Sequence, residues 1–86
     1  MRPVRVLYFA WLRQKAGVGE EAVSPPPEVA DVGGLMRWLS ARSDGHATAF
    51  ADPALVRMAV NQDFCGPDHP VRPGDEVAFF PPVTGG

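Results

Sequence analysis

The sequence has little of what marks several large classes of protein. Its one cysteine, Cys65, cannot form an internal disulfide or a cysteine-rich zinc site. No stretch approaches the ~18 to 20 consecutive apolar residues of a membrane span, and residues 1–3 do not begin a signal peptide. The eight basic residues are scattered among ten acidic ones, which disfavours nucleic-acid binding. We therefore expect a cytoplasmic protein with neither a membrane nor a nucleic acid as its partner.

The first third of the chain favours strands and one short helix. Residues 4–10 are rich in β-branched and aromatic side chains, and Val4, Val6 and Tyr8 share one face, which predicts a strand buried on at least one face. Residues 11–16 suit one or two helical turns that end at Gly17, a typical glycine cap. Residues 20–24 predict a short strand that pairs back on the first and stops at the prolines 25–27.

The middle third contains the main helix. Asp31 is the expected N-cap, and apolar side chains at positions 32, 35, 36 and 39 share one face of a helix. The glycines at 33 and 34 each cost about 1 kcal/mol relative to alanine, so this helix needs a sheet to cover. The stretch 42–53 is the least regular: Asp44-Gly45 indicates a turn, and residues 47–51 suit a single helical turn that buries Phe50.

The last third predicts three strands joined by tight turns. The strands are residues 55–60, 63–65 and 76–80, with turns at Asn61-Gln62 and at residues 73–75. This order of elements predicts an α+β protein with a ubiquitin-like β-grasp fold, in which a mixed sheet of about five strands packs on one main helix. We expect residues 1–80 to form this domain and residues 81–86 to form an extended Gly-Gly tail.

The tail carries the strongest chemical signal. Pro81 and Pro82 cannot extend a sheet ladder and favour an extended backbone, so the tail can project up to ~20 Å. Gly85 and Gly86 lack a Cβ, so a terminal carboxylate could enter a narrow channel. Because a carboxylate is a poor electrophile, a partner would have to activate it with ATP, after which sulfide transfer would yield a thiocarboxylate.

These residues resemble a known family. Residues 73–86, the segment Val60-Asn61-Gln62 and residues 6–13 are similar to the small subunit of molybdopterin synthase, the MoaD-type sulfur carriers. The resemblance implies that Gly86 is adenylated by an E1-like activating enzyme, thiocarboxylated with sulfur from a donor protein, and inserted into the large synthase subunit. There it would supply sulfur for the molybdopterin dithiolene, made from cyclic pyranopterin monophosphate, in a heterotetramer of two large and two small subunits.

The resemblance also implies a partner-binding surface beside the tail. Its expected members are Phe9, Arg13, Phe64, Phe80, Pro81, Pro82, Val83 and Thr84. Side chains alternate along a strand, so one of Phe79 and Phe80 should lie in the core and the other at the surface. Core packing is an equal alternative for Phe9 and Phe64, and Arg13 could be an ordinary solvated cation.

The remaining polar residues suggest no catalytic centre. Cys65 has no histidine base placed beside it by any motif, and a partly buried thiol is the favoured interpretation. His46, His69 and Cys65 lack metal-ligand spacing, and no glycine-rich phosphate loop is present. We therefore expect a chain that is not catalytic on its own and binds no metal or cofactor, ATP being used by the activating partner.

Three departures from the family pattern leave the predicted function unchanged. They are the prolines 25–27 before the main helix, the glycines 33 and 34 within it, and the segment 63–67 in place of a more aliphatic strand.

Two alternatives remain compatible with the residues, and the first of them has two forms. A ubiquitin-like modifier would use the same activated glycine to form an isopeptide with a lysine, and a thiazole-pathway-type sulfur carrier would share the early chemistry. A β-grasp binding module with an inert tail is the second alternative, and it would keep its activity without Gly85 and Gly86.

Overall fold

A computed structural model describes residues 2–82 of the chain. Within this range the helices are α1 (Trp11–Ala16), α2 (Val32–Ser40) and α3 (Asp44–Ala49), and a 3-10 turn covers Pro53–Leu55. The strands are β1 (Val4–Tyr8), β2 (Glu20–Val23), β3 (Arg57–Val60), β4 (Asp63–Cys65) and β5 (Glu76–Phe80). None of the described helices is both long and apolar enough to cross a membrane.

The five strands form one mixed sheet in the order β2-β1-β5-β3-β4. The central pair, β1 and β5, is parallel, while β1–β2, β5–β3 and β3–β4 are antiparallel. β5 therefore lies in the middle of the sheet, with neighbours on both sides. The residues that follow Phe80 leave from this central strand.

One face of the sheet packs against the helices. Val6, Val77 and Val60 are paired across three strands, and all three are buried. From α2, the buried side chains are those at the predicted apolar positions, namely Val32, Leu35, Met36 and Leu39. Burial of each of these side chains contributes about 1.5 to 3 kcal/mol. Together they outweigh the roughly 2 kcal/mol that the two helical glycines cost.

The predicted capping of α2 is confirmed. Asp31 has extended backbone angles, and its Oδ1 accepts a 2.7 Å hydrogen bond from the N–H of Gly34. This bond satisfies one of the free N–H groups of the first helical turn. At the end of α1, Gly17 takes the predicted left-handed conformation with φ 83°.

The prediction for residues 42–51 was wrong in part. Asp44 and Gly45 do not form a turn, because they are the first residues of α3, and Ser43 caps that helix by accepting a hydrogen bond from the N–H of His46. Gly45 allows α3 to approach α1, since a methyl group there would overlap the carbonyl oxygen of Lys15. Phe50 is buried as predicted.

Strand ends also differ from the predictions. β1 stops at Tyr8 rather than residue 10, because Ala10 takes positive φ and is the N-cap of α1. β3 starts at Arg57 rather than residue 55, because Pro53 begins a 3-10 turn. The hairpin between β3 and β4 is confirmed: Asn61 and Gln62 have φ of 50° and 72°, as the tight turn requires.

Candidate functional site

No helix among residues 2–82 covers the second face of the sheet, which forms a row of mostly apolar residues outside the core. The register aligns Leu7 of β1, Ala78 of β5, Ala59 of β3 and Phe64 of β4 side by side across four strands. Two residues further toward the tail, Phe80 of β5 is paired with Arg57 of β3. We call these six residues the open sheet face.

Two phenylalanines dominate the open sheet face. Phe64 is 84% exposed, and Phe80 is partly buried, with its ring centroid 5.6 Å from that of Phe64. Phe79 points the other way and is fully buried, as the alternation predicted. The ring of Phe64 contacts the ring of Phe80 and covers part of it. A large exposed aromatic beside a second ring is typical of a protein-binding surface.

The tail begins directly after Phe80, the last residue of the central strand β5. Pro81 and Pro82 directly follow Phe80 and are partly buried. The predicted site residues Val83, Thr84, Gly85 and Gly86 lie outside the described residues. The division into a domain of residues 1–80 and a tail of residues 81–86 stays a prediction.

Phe9 lies beside the foot of the tail. It follows β1, its N–H donates a 3.1 Å hydrogen bond to the carbonyl oxygen of Phe79, and its side chain is 49% exposed. The core alternative for Phe9 and Phe64 is therefore wrong, because both rings lie at the surface. Continuing the β1–β5 register places Phe9 next to Phe80.

Arg13 lies near Phe9, and its side chain contacts the backbone of Gly19. Both residues, with Leu7 and Glu20, line a cleft of about 450 Å³ at the end of β1. A Cβ at Gly19 would lie 2.9 Å from the Nε of Arg13, so the guanidinium lies directly across the glycine. The Arg13 side chain therefore packs over Gly19 while it remains exposed to solvent.

Ala10 connects Phe9 to α1 through a strained conformation. Its φ of 56° and ψ of −134° fall in a region that glycine alone adopts without cost. Its carbonyl oxygen accepts hydrogen bonds from the N–H groups of Arg13 and Gln14. These bonds help to hold the sharp turn between the strand and the helix, and so fix Phe9 and Arg13 relative to each other.

Sequence reasoning missed Arg57. This residue is the cross-strand partner of Phe80 and is exposed, with its Nη1 donating a 3.1 Å hydrogen bond to the carbonyl oxygen of Ala54. Alternation along β3 puts Arg57 and Ala59 on one face, but only the register with β5 shows that this face adjoins the tail. The foot of the tail therefore has a cation on the β3 side as well as Arg13 beyond Phe9.

A partly buried polar network joins β1, β2 and α3. The hydroxyl of Tyr8 donates to Oε2 of Glu21 at 2.8 Å, and Nε2 of His46 lies 2.7 Å from the same oxygen. Since a carboxylate only accepts, Nε2 donates, and in the neutral ring Nδ1 then accepts from the hydroxyl of Ser43 at 2.7 Å. Arg42 approaches the other carboxylate oxygen at 3.6 Å. No sequence signal had linked residues from β1, β2 and α3 in this way.

The network shifts two acidities in opposite directions. Burial raises the pKa of Tyr8 above its ordinary range, and the hydrogen bond to Glu21 adds to that effect. Burial alone would raise the pKa of Glu21, but the hydrogen bonds from His46 and Tyr8, with the nearby charge of Arg42, lower it overall. Glu21 is therefore the fixed anion of the network. Tyr8 in turn stacks on Phe79 at 6.2 Å, just before the tail.

Cys65 is partly buried, as predicted. Burial raises the pKa of its thiol, and the charge of Asp68 adds to this, while a backbone hydrogen bond from Val60 opposes it. A raised pKa disfavours the reactive thiolate. Among residues 2–82, no group of three or more His, Cys, Asp or Glu side chains is arranged to hold a metal ion.

The fold and the open sheet face define a class: this is a ubiquitin-like β-grasp protein. The family model described as "ThiS family" matches residues 6–86. The molybdopterin synthase sulfur carrier subunit of Escherichia coli (strain K12) is 45% identical over 83 residues, which cover 96% of this chain and 99% of that protein. The chain therefore belongs to the ThiS family, and its resemblance to the molybdopterin synthase sulfur carrier subunits is confirmed.

Solved structures agree with this assignment. A Pyrococcus furiosus protein described as molybdopterin converting factor subunit 1 superimposes with a TM-score of 0.79 at 36% identity, covering 96% of this chain and all of that one. Two more distant structures show the shared fold alone. They are small archaeal modifier protein 1 of Haloferax volcanii, with a TM-score of 0.75 at 23% identity, and a chain from the complex of molybdopterin-converting factor subunits 1 and 2 of Helicobacter pylori, with a TM-score of 0.63 at 19% identity. They cover 96% of this chain and 100% and 97% of theirs.

Proposed function

We propose that this chain carries sulfur as a thiocarboxylate on Gly86 and delivers it within a molybdopterin synthase. The observation that carries the proposal is the position of the open sheet face at the foot of the tail. A partner that bound Phe64 and Phe80 would lie next to Pro81 and Pro82, the two described residues that directly follow Phe80. The names of the relatives support the assignment of sulfur transfer to this chain.

The chemistry requires a partner at each step. An E1-like enzyme would bind the open sheet face and let the Gly86 carboxylate attack the α-phosphate of ATP, releasing pyrophosphate and forming an acyl adenylate. Sulfide from a donor protein would then displace AMP and leave the thiocarboxylate. The chain provides the acyl group and the docking surface, and its partners provide the groups that bind ATP and accelerate the reaction. It is therefore a non-catalytic subunit with no cofactor of its own.

The second docking event is with the large synthase subunit. Phe64 and Phe80 would act as apolar anchors, since aromatic residues of this kind usually dominate binding energy. Phe9 and Arg13 would contact the partner beside the tail, with Arg57 on the opposite side. Pro81 and Pro82 would hold the segment extended, and Val83, Thr84 and Gly85 would pass into the partner's channel. Two such pairs would form the expected heterotetramer.

The test is the intact mass of the protein after incubation with the activating enzyme, ATP and a sulfide donor. We expect a gain of about 16 Da, the difference between sulfur and oxygen, localised to Gly86. The Gly86→Ala variant should keep its fold but lose most of this gain, because the added Cβ obstructs a channel suited to glycine. Deleting Gly85 and Gly86 should abolish the gain and leave thermal unfolding unchanged.

Other results would contradict the proposal. An unchanged mass in complete reaction mixtures favours an inert-tail binding module. A covalent link between Gly86 and a lysine of another protein favours a ubiquitin-like modifier. Sulfur transfer to a thiazole precursor, rather than to a pterin, favours the thiazole-pathway type of carrier.

A further inference from the structure

A second concave surface lies at the end of the domain opposite the tail. It is a groove of about 410 Å³, within the range of ligand-binding clefts, with Val4 and Val71 among its lining residues. Five prolines from two loops form much of its wall: Pro25, Pro26, Pro27, Pro70 and Pro73. The ring of each proline restricts φ, so this wall is rigid and loses little conformational entropy when a ligand binds.

The backbone of the groove offers few hydrogen-bond donors. Prolines have no N–H, and three other N–H groups of the wall already have partners within the chain. That of Val29 donates to the carbonyl oxygen of Pro26 at 3.0 Å, and that of Val71 to Ala30 at 3.0 Å. The N–H of Arg72 donates to Oδ2 of Asp75 at 2.8 Å. The wall therefore offers few free backbone donors to a peptide that would bind by adding a strand.

The charged groups of the groove are two arginines. Arg2 and Arg72 both line it, are exposed, and make no ion pair with any acidic side chain of residues 2–82. Arg2 lies against the turn after Pro73, where a Cβ at Gly74 would lie 3.2 Å from the Cδ of the arginine. The chain has a net charge of −2, so this is a local positive site on an acidic protein.

We propose that this groove binds a short segment of a partner protein in which a large apolar side chain is flanked by carboxylates. The apolar side chain would pack on the proline rings and on Val71, and Arg2 and Arg72 would pair with the carboxylates. The guanidinium groups supply the donors that the backbone lacks, and planar guanidinium matches carboxylate geometry. This inference does not depend on the sulfur-carrier proposal.

The location of the groove gives the interaction a use. β1 and β5 are parallel, and the groove lies beside their first residues, whereas the tail follows the last residue of β5. Four residue steps of about 3.3 Å separate the two ends of the central strands, roughly 13 Å in all. A segment in the groove would leave the open sheet face uncovered, so one partner could stay attached while another engages the tail.

The experiment is a methyl NMR titration of the full chain with labelled valines. The probe is the peptide acetyl-Asp-Phe-Asp-amide, and the matched ligand control is acetyl-Asn-Phe-Asn-amide. We expect shifts confined to Val4, Val29 and Val71, and an affinity for the Asn peptide roughly tenfold weaker, as two lost ion pairs would give.

A pair of double variants separates the arginines from net charge. Arg2→Gln with Arg72→Gln should weaken binding of the Asp peptide roughly tenfold, whereas Lys15→Gln with Arg37→Gln removes two exposed charges elsewhere and should change it less than about twofold. Equal losses in both variants, equal affinity for the two peptides, or shifts absent from the three valines would each overturn the proposal. Thermal unfolding of both variants verifies that they are folded.

Discussion

Replacing Phe64 with alanine should weaken partner binding more than folding. The side chain is 84% exposed, so folding removes only about a sixth of its surface from water. A fully buried aromatic loses about 150 to 250 Å² of accessible surface, so the part buried here is about 30 Å² and worth roughly 0.8 kcal/mol. The contact between the rings of Phe64 and Phe80 adds about 0.5 to 1.5 kcal/mol.

The loss on binding is larger because a partner would cover the remaining surface. About 170 Å² would be buried, a gross gain of roughly 4 kcal/mol, from which ordering and desolvation costs must be subtracted. We expect a net loss of about 2 to 3 kcal/mol, equivalent to a 30- to 150-fold weaker complex with the large subunit. The stability loss of about 1.3 to 2.3 kcal/mol should lower the midpoint of thermal unfolding by about 5 to 18 °C.

Calorimetric titration of the large subunit with each variant measures the first quantity, and thermal denaturation followed by circular dichroism measures the second. Leu55→Ala is the control, since Leu55 is an exposed apolar residue outside the sheet, at 48% exposure; it should leave affinity unchanged. Phe79→Ala gives the contrasting case, with a loss of about 3 to 5 kcal/mol in folding stability. Unchanged affinity for the Phe64 variant would refute the assignment of the open sheet face as the docking surface.

Three further outcomes test the supporting structure. The lowered pKa of Glu21 means that its stabilising effect is complete above the ordinary value of 4.5 and is lost as pH falls through the folded value; Glu21→Gln should be less stable at pH 7 and show a flatter decline in acid, and a parallel decline in urea denaturation would contradict this. Gly19→Ala should displace the guanidinium of Arg13 and lower the affinity for the large subunit about as much as Arg13→Ala does. If Arg13→Ala weakens binding but Gly19→Ala keeps full affinity, the contact between Gly19 and Arg13 does not matter for binding. Asp31→Ala removes the cap of α2 and should cost about 1 kcal/mol in urea denaturation, with unaltered binding as the accompanying control; no change in stability would mean that water replaces the carboxylate.

Elements with a strong local signal could be predicted from the sequence. The cap at Asp31 precedes apolar residues at helical spacing, and the positive φ of Asn61 follows from the tolerance of asparagine for that conformation. The alternation of Phe79 and Phe80 was also sufficient to identify the buried ring. In each of these cases the residues that decide the structure are neighbours in the chain.

Features that depend on distant pairing could not be predicted in this way. The Asp44-Gly45 pair is a turn signal in isolation, and it enters a helix because Ser43 caps it and α1 packs closely against Gly45. Arg57 joins the candidate site only through its pairing with Phe80. Likewise, His46 meets Glu21 across 25 positions of sequence, a contact without any local pattern.

The central position of β5 also makes the docking surface a reporter of folding. Arg5 pairs with Glu76 about 70 residues further along the chain, so the sheet closes only after a long loop has been brought together. The open sheet face draws side chains from four strands, and the row that includes Leu7 is complete only after this closure. An unfolded chain would still carry Gly85 and Gly86 but would lack the surface at which we propose that an activating enzyme binds. If that proposal holds, activation requires a folded carrier.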